Sequence, residues 1–223
     1  MLDLDAFYRA KLRETPFDHL VVPGFVRPEA CRMLRTEFPV AGLPGSIPLG
    51  VAPQGAMFAA LIRALRSTPV REAVAHKFDL DLDRRPLTFT VREQCRLEDG
   101  QVHVDSASKI ITALVYMNPP WEAEGGRLRL LRSRDLDDYA DEVAPEEGTL
   151  LIFRRSDVSW HGHAPFEGPR RAIQMNWVKN GFYAAQEQLR HRAIAWWKRR
   201  SGTDFRIGRA EPTRPLPSRD RAA

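Results

Sequence analysis

The chain has 223 residues and a mass of 25.4 kDa, enough for one sizeable domain rather than two. Hydrophobic residues make up 43% and charged residues 28%, which excludes a wholly disordered or collagen-like chain. The net charge of +5 is unevenly placed: residues 189–223 hold ten Lys/Arg against three Asp/Glu, so this end carries +7 and the rest −2.

A basic face over the whole domain would be the footprint of a nucleic-acid binder, whereas a basic, Pro- and Arg-containing tail is not, so nucleic acid is not an expected partner. The longest apolar stretch, Ile110 to Met117, falls well short of the roughly 20 residues that a membrane-spanning helix needs. The start, Met-Leu-Asp-Leu-Asp, has no basic segment followed by an apolar one, and Cys31 and Cys95 form no CxxC pair or disulfide framework. A cytoplasmic protein with no membrane partner is expected.

In chain order, Leu4, Phe7, Tyr8 and Leu12 lie at helical spacing and predict a helix over 3–14. The segment Pro16 to Pro23 reads as a short strand, and Pro28 sits at the first turn of a helix that runs to Phe38. A Pro/Gly-rich connector over 39–53 leads to another apolar-periodic segment, Met57 to Leu65. The alternation Asp79-Leu-Asp-Leu-Asp83 imitates the start of a calcium loop, but Arg84 and Thr90 stand where that loop needs Gly and Glu. From Pro86 onward the pattern changes to short β-like runs: Leu87–Val91, Ile110–Met117, Arg127–Leu131, Thr149–Phe153 and Ala172–Val178. Gly, Pro and acidic turn residues separate them, which argues for a sandwich or barrel. A helix is expected over 184–200, followed by a flexible basic tail over 201–223.

Three histidines lie in the β-rich half. In a strand, residues i and i+2 share a face, so His103 and Asp105 point together and Val102 and Val104 away. Trp160-His161-Gly-His163-Ala-Pro165 comes later in the chain. Two imidazoles and one carboxylate on one inner face match the arrangement that holds Fe(II) and leaves positions open. A zinc hydrolase could use the same residue types, but no HExxH-type helix accompanies them. Gly168-Pro-Arg170-Arg171-Ala-Ile-Gln174 then offers the fork that a dicarboxylate cosubstrate needs.

With these pieces in order, the chain resembles the iron(II)- and 2-oxoglutarate-dependent dioxygenases, in particular their prolyl 4-hydroxylase-like branch. The resemblance covers roughly residues 16–178 and rests on Pro16-Phe17…Pro23…Phe25, His103-x-Asp105, Thr112 to Asn118 with Trp121, Gly125-Gly126-Arg-Leu128, Gly148 to Phe153, and Trp160-His161-x-x-x-Pro165 followed by the arginine. It implies a mainly β protein with flanking helices, an α+β double-stranded β-helix of jelly-roll or cupin type. The core would lie at about 86–178, within a single domain over 1–200 that has N-terminal helices and a C-terminal one. It implies His103, Asp105 and His161 as iron ligands, with His163 the competitor of His161, and no catalytic residue beyond the ligands.

It also implies Fe(II), 2-oxoglutarate and O2 as cofactor and cosubstrates. Arg170 or Arg171 would anchor 2-oxoglutarate. Arg170 would turn Ala172 and Gln174 inward and Ile173, Met175 and Trp177 outward; Arg171 would reverse that. Tyr116 would donate to the far carboxylate, and Thr112, Leu128 and Gln174 would line the pocket. The expected reaction hydroxylates an unactivated C–H, in an amino-acid side chain such as proline within a protein or peptide, with release of succinate and CO2. A small-molecule hydroxylase and a non-catalytic metal-binding module of the same fold are the alternatives. Between Cys95 and His103 the chain departs from many relatives, which carry a tyrosine and a longer loop there, so substrate contacts do not transfer across that stretch.

Overall fold

A computed structural model of the chain describes residues 1–40, 45–49, 54–183, 185 and 189. The helix expected over 184–200 and the tail over 201–223 lie outside the described residues, apart from 185 and 189. Four helices are described: α1 Leu4–Arg9, α2 Pro28–Glu37, α3 Ala56–Leu65 and α4 Thr68–Phe78. The strands are β1 His19–Val22, β2 Ile47–Pro48, β3 Leu87–Cys95, β4 Lys109–Tyr116, β5 Leu128–Leu131, β6 Tyr139–Val143, β7 Leu150–Arg154, β8 His161–Gly162 and β9 Gly168–Val178. They form a six-stranded sheet in the order β1-β7-β4-β9-β3-β2 and a three-stranded sheet in the order β6-β5-β8, every pairing antiparallel.

The alternation of side chains along each strand explains what each face of the large sheet does. One face presents the cross-strand rows Leu20–Ile152–Ala113–Met175–Phe89 and Val22–Leu150–Val115–Ile173–Val91–Ile47. These rows are buried in the main core together with helix residues such as Phe7, Leu34, Phe58, Leu61 and Val74. Each such side chain contributes about 1.5–3 kcal/mol by leaving water. The helices supply apolar stripes of matching length: α2 buries Ala30, Cys31 and Leu34, and α3 buries Phe58, Leu61, Ile62 and Leu65.

The other face carries the rows His19–Phe153–Thr112–Asn176–Thr88, Val21–Leu151–Leu114–Gln174–Thr90 and Tyr116–Ala172–Arg92. At the β1/β7 end it packs a second cluster, including Phe17, Leu151 and Phe153, against Leu128, Leu130 and Val143 of the small sheet. Toward β3 the rows turn polar, and there the space between the sheets opens.

Several elements differ from expectation. Helix α1 stops at Arg9 because Ala10 turns to extended backbone, and the chain then pairs Arg13 with His19 through two backbone hydrogen bonds of 2.9 and 2.8 Å. Helix α4 was not anticipated, since its apolar stripe is weak; Pro sits in its first turn, and Asp79 ends it in the left-handed region at φ +49°. The acidic run 79–83 therefore closes a helix, with Asp81 accepting from the backbone N–H of Asp83 at 2.9 Å. Strand β6 is acidic and half-exposed; Arg129 of β5 holds it through Glu142 at 2.8 Å and by lying over the Tyr139 ring. Strands β1 and β2 join the large sheet, which therefore extends beyond the 86–178 core.

Candidate metal and dicarboxylate site

The open end between the sheets is a cavity of about 370 Å3. At one wall His103 and His161 form an antiparallel bridge, each backbone N–H donating to the other's carbonyl at 3.0 Å, so that their rings stand 4.4 Å apart. Close approach at this bridge needs glycine, because a Cβ on Gly162 would meet the carbonyl oxygen of Gly100 at 2.8 Å. Asp105, two residues along from His103, turns its carboxylate into the same space. One ligand atom from each of His103, Asp105 and His161 lies within 4.8 Å of the others.

The surroundings prepare these groups to bind a cation. Nδ1 of His103 lies 2.8 Å from the carbonyl of Gln101, and Nδ1 of His161 lies 2.9 Å from that of Ser159. These bonds place the protons on Nδ1 and leave both Nε2 lone pairs free. Burial pushes His161 down to about 4, so it is neutral at physiological pH. Burial of Asp105 opposes its ionisation, but the charge of Lys109 overcomes this, helped by His161 and by hydrogen bonds from Lys109 and Thr112, and holds the carboxyl at about 2. Lys109 Nζ donates to Oδ1 at 2.6 Å and the Thr112 hydroxyl to Oδ2 at 2.5 Å. Two imidazoles and one anchored carboxylate suit a divalent metal with imidazole and carboxylate preferences.

Away from this cluster the cavity is lined by Leu114 of β4, Leu128 of β5, and Arg170, Ala172 and Gln174 of β9. Arg170 is buried, and its Nε donates to the Gly126 carbonyl at 2.7 Å. Among the described residues its NH2 nitrogen has no hydrogen-bond partner, and neither has the hydroxyl of Tyr116, whose ring lies 5.5 Å from the guanidinium carbon. Tyr116 is fully buried behind Arg170 rather than on the cavity wall. Buried polar atoms are rarely left unpaired, and two adjacent orphan donors are what a carboxylate would complete. The residues present thus fit both a metal and a dicarboxylate.

Arg171 points the other way: it lies over Phe38, and its NH1 donates to the Arg35 carbonyl at 3.3 Å, outside the set that lines the cavity. Ile173, Met175 and Trp177 sit in the helix-facing core. Thr112 does border the cavity, but its hydroxyl is engaged by Asp105 and turned toward Asn176. His163 lines the cavity outside the three-residue cluster: its backbone N–H donates to Gly100 at 2.9 Å, and Nδ1 lies 2.9 Å from the Ala164 carbonyl. Burial, then the charge of Arg170, pushes it down to about 4. Two charged cavity residues escaped the sequence reading, Lys109 and Arg92. Each had a signal. Lys109 is the cation that opens an otherwise apolar run, and Arg92 continues the alternation of Thr88 and Thr90 beyond the expected end of β3 at Val91.

Residues 94–179, which hold the three-residue cluster and Arg170, match the family model described as the 2OG-Fe(II) oxygenase superfamily. Residues 94–179 form a 2OG-Fe(II) oxygenase domain. Fe(II) is its metal, with 2-oxoglutarate and O2 as cosubstrates. The fold agrees. A prolyl-4-hydroxylase from Pseudomonas putida superposes with a TM-score of 0.53 at 17% identity, covering 80% of this chain and 97% of that one. A structure of prolyl 4-hydroxylases from Phytophthora capsici gives 0.53 at 16% identity, over 84% of this chain and 68% of that one. HygX from Streptomyces hygroscopicus, solved with nickel and 2-oxoglutarate bound, gives 0.50 at 15% identity, over 73% and 82%. No curated protein matches the chain. Among the described residues no helix is long and apolar enough to cross a membrane.

Proposed function

We propose that this oxygenase hydroxylates an unactivated C–H bond in an amino-acid side chain, proline being the leading candidate, within a peptide or protein, with release of succinate and CO2. The observation that carries the reaction class is the convergence of His103, Asp105 and His161 on one cavity that is also lined by Arg170, whose unpaired NH2 adjoins the buried Tyr116 behind it. The fold shared with the two prolyl 4-hydroxylase structures supports the substrate class.

In this reading His103, Asp105 and His161 hold the iron, and Arg170 with Tyr116 takes the far carboxylate of 2-oxoglutarate. Bound iron and 2-oxoglutarate supply the oxidising power for an unactivated C–H, which no side chain can provide. The chain's own residues position and shield. Lys109 and Thr112 keep Asp105 ionised and in one orientation. The two backbone carbonyls fix the imidazole tautomers. The Gly126 carbonyl aims the Arg170 fork, and Leu114, Leu128 and Ala172 give the intervening wall an apolar surface that disfavours water.

Anaerobic protein loaded with Fe(II) should develop a weak visible charge-transfer band on addition of 2-oxoglutarate. Asp105→Ala should abolish that band, and an unaltered band would remove Asp105 from the ligand set. Peptide and metabolite pools should then be searched by mass spectrometry for a gain of one oxygen coupled to succinate. A modified prolyl peptide would support the substrate reading, and a modified free metabolite alone would replace it with a small-molecule hydroxylase.

A further inference from the structure

Among the described residues the cavity lining carries three cations, Arg92, Lys109 and Arg170, and two of them already have roles. Lys109 is committed to Asp105. Arg170 is committed through Nε to Gly126, and its free NH2 serves the far carboxylate. Arg92 projects from β3 into the same row as Ala172 and Tyr116, on the strand next to that of Arg170. Its contacts are weak for a guanidinium with five donors: the Asp99 carboxylate at 3.5 Å and the Cys95 sulfur at 4.0 Å. Asp99 meanwhile accepts from the backbone N–H of Arg96 at 2.9 Å. Arg92 is also more open than Arg170, its side chain 25% exposed where Arg170 is buried.

We propose that Arg92 is a second carboxylate-binding residue of this cavity, additional to the Arg170 and Tyr116 end. The proposal rests on the oxygenase reading of the cavity. Arginine is suited to the task because its planar fork takes a carboxylate through two parallel hydrogen bonds, which are stronger than a side-on ion pair. The loop that carries Asp99 supports the assignment. Gly100, at φ +83°, packs on His163 so closely that a Cβ there would meet the ring at 2.3 Å, and this packing holds the loop beside Arg92 without Asp99 having to clamp the guanidinium. The carboxylate has two sources: the far end of 2-oxoglutarate, or an acidic group on the molecule to be oxidised. In the second case the substrate carries a carboxylate within reach of its reacting carbon.

Three carboxylates used as probes separate these sources. On anaerobic Fe(II)-loaded protein, 2-oxoglutarate and 2-oxobutyrate, which has the same chelating head without the far carboxylate, are titrated by the charge-transfer band. Glutarate is titrated calorimetrically into protein already saturated with 2-oxoglutarate. If Arg92→Gln weakens 2-oxoglutarate tenfold or more and leaves 2-oxobutyrate unaltered, Arg92 holds the cosubstrate. If 2-oxoglutarate is unaltered but glutarate binding, present in the wild type, is lost, Arg92 serves the substrate. Unaltered binding of all three overturns the proposal and leaves Arg92 a partner of Asp99. Asp99→Asn is the control for loop damage, because it removes the ion pair and keeps the arginine. It should leave carboxylate binding unchanged or tighter, and the same loss as in Arg92→Gln would overturn the proposal. Arg170→Gln tests the underlying reading separately: undiminished 2-oxoglutarate binding in that variant would refute the assignment of the cosubstrate end, while the glutarate arm would still decide Arg92.

Discussion

Replacing Lys109 with methionine tests whether the buried Lys109–Asp105 pair is the device that keeps the carboxylate ready for a cation. Both side chains are 8% exposed and their charged atoms lie 2.6 Å apart. Removing one partner of a buried pair leaves the other charge uncompensated, a loss of about 3 kcal/mol or more. The depression of Asp105 from 3.8 to about 2, to which Thr112 and His161 also contribute, corresponds to about 2–3 kcal/mol, the same order. The sign is clear: a depressed carboxyl contributes stability above pH 3.8 and loses it as the pH falls toward 2, so the full effect is present at pH 7. For a chain of this size the metal-free Lys109→Met protein should melt about 6–12 °C below the wild type. A divalent cation at the cluster would replace the missing positive charge. Ni(II) should therefore raise the melting temperature of Lys109→Met by more than it raises that of the wild type, measured by thermal denaturation with and without metal. A variant that melts with the wild type, or that gains less from Ni(II), would refute the argument.

The pH dependence of the metal-free protein should follow the histidines. His161 and His163 are held at about 4 by burial against 6.5 in the unfolded chain, so folding is strongest above pH 6.5 and weakens as the pH falls from 6.5 to 4. Each contributes up to about 3 kcal/mol over that window, which urea midpoints at pH 7.5, 6 and 5 would resolve, and a flat profile would contradict the burial argument. Tyr116→Phe should act in opposite directions on folding and binding. It removes a buried hydroxyl that has no partner among the described residues, so the ligand-free protein should keep its stability or gain about 1 kcal/mol. The affinity for 2-oxoglutarate should fall several-fold, and a loss of stability without a change in affinity would make the tyrosine structural only.

The parts of this molecule that were legible in the sequence were those fixed by local periodicity. The run Ile110 to Met117 is a short, nearly continuous apolar stretch of the kind a strand buried on both faces carries, and β4 occupies Lys109–Tyr116. The i, i+2 spacing of His103 and Asp105 already implied a shared face. Relations across turns were not legible. No periodicity shows that Lys109 reaches back four residues to Asp105, or that Arg129 draws in the acidic strand Tyr139–Val143. The end of β3 was missed because Arg92, Glu93 and Gln94 interrupt an apolar pattern, and a bulge between Arg92 and Gln94 re-aims the chain there. Helix α4 was missed because its apolar stripe is too faint to stand out before its packing partners are known.

The division of labour between the two faces of the large sheet bears on how such a protein can change. The helix-facing rows carry the burden of folding, whereas Thr90, Gln174 and Leu114 form one cross-strand row on the cavity side. Variation in that row alone would reshape what the cavity admits while leaving the scaffold intact. An insertion of a single residue within β4 would do the reverse, exchanging Thr112, Leu114 and Tyr116 for their helix-facing neighbours and destroying selectivity and scaffold together.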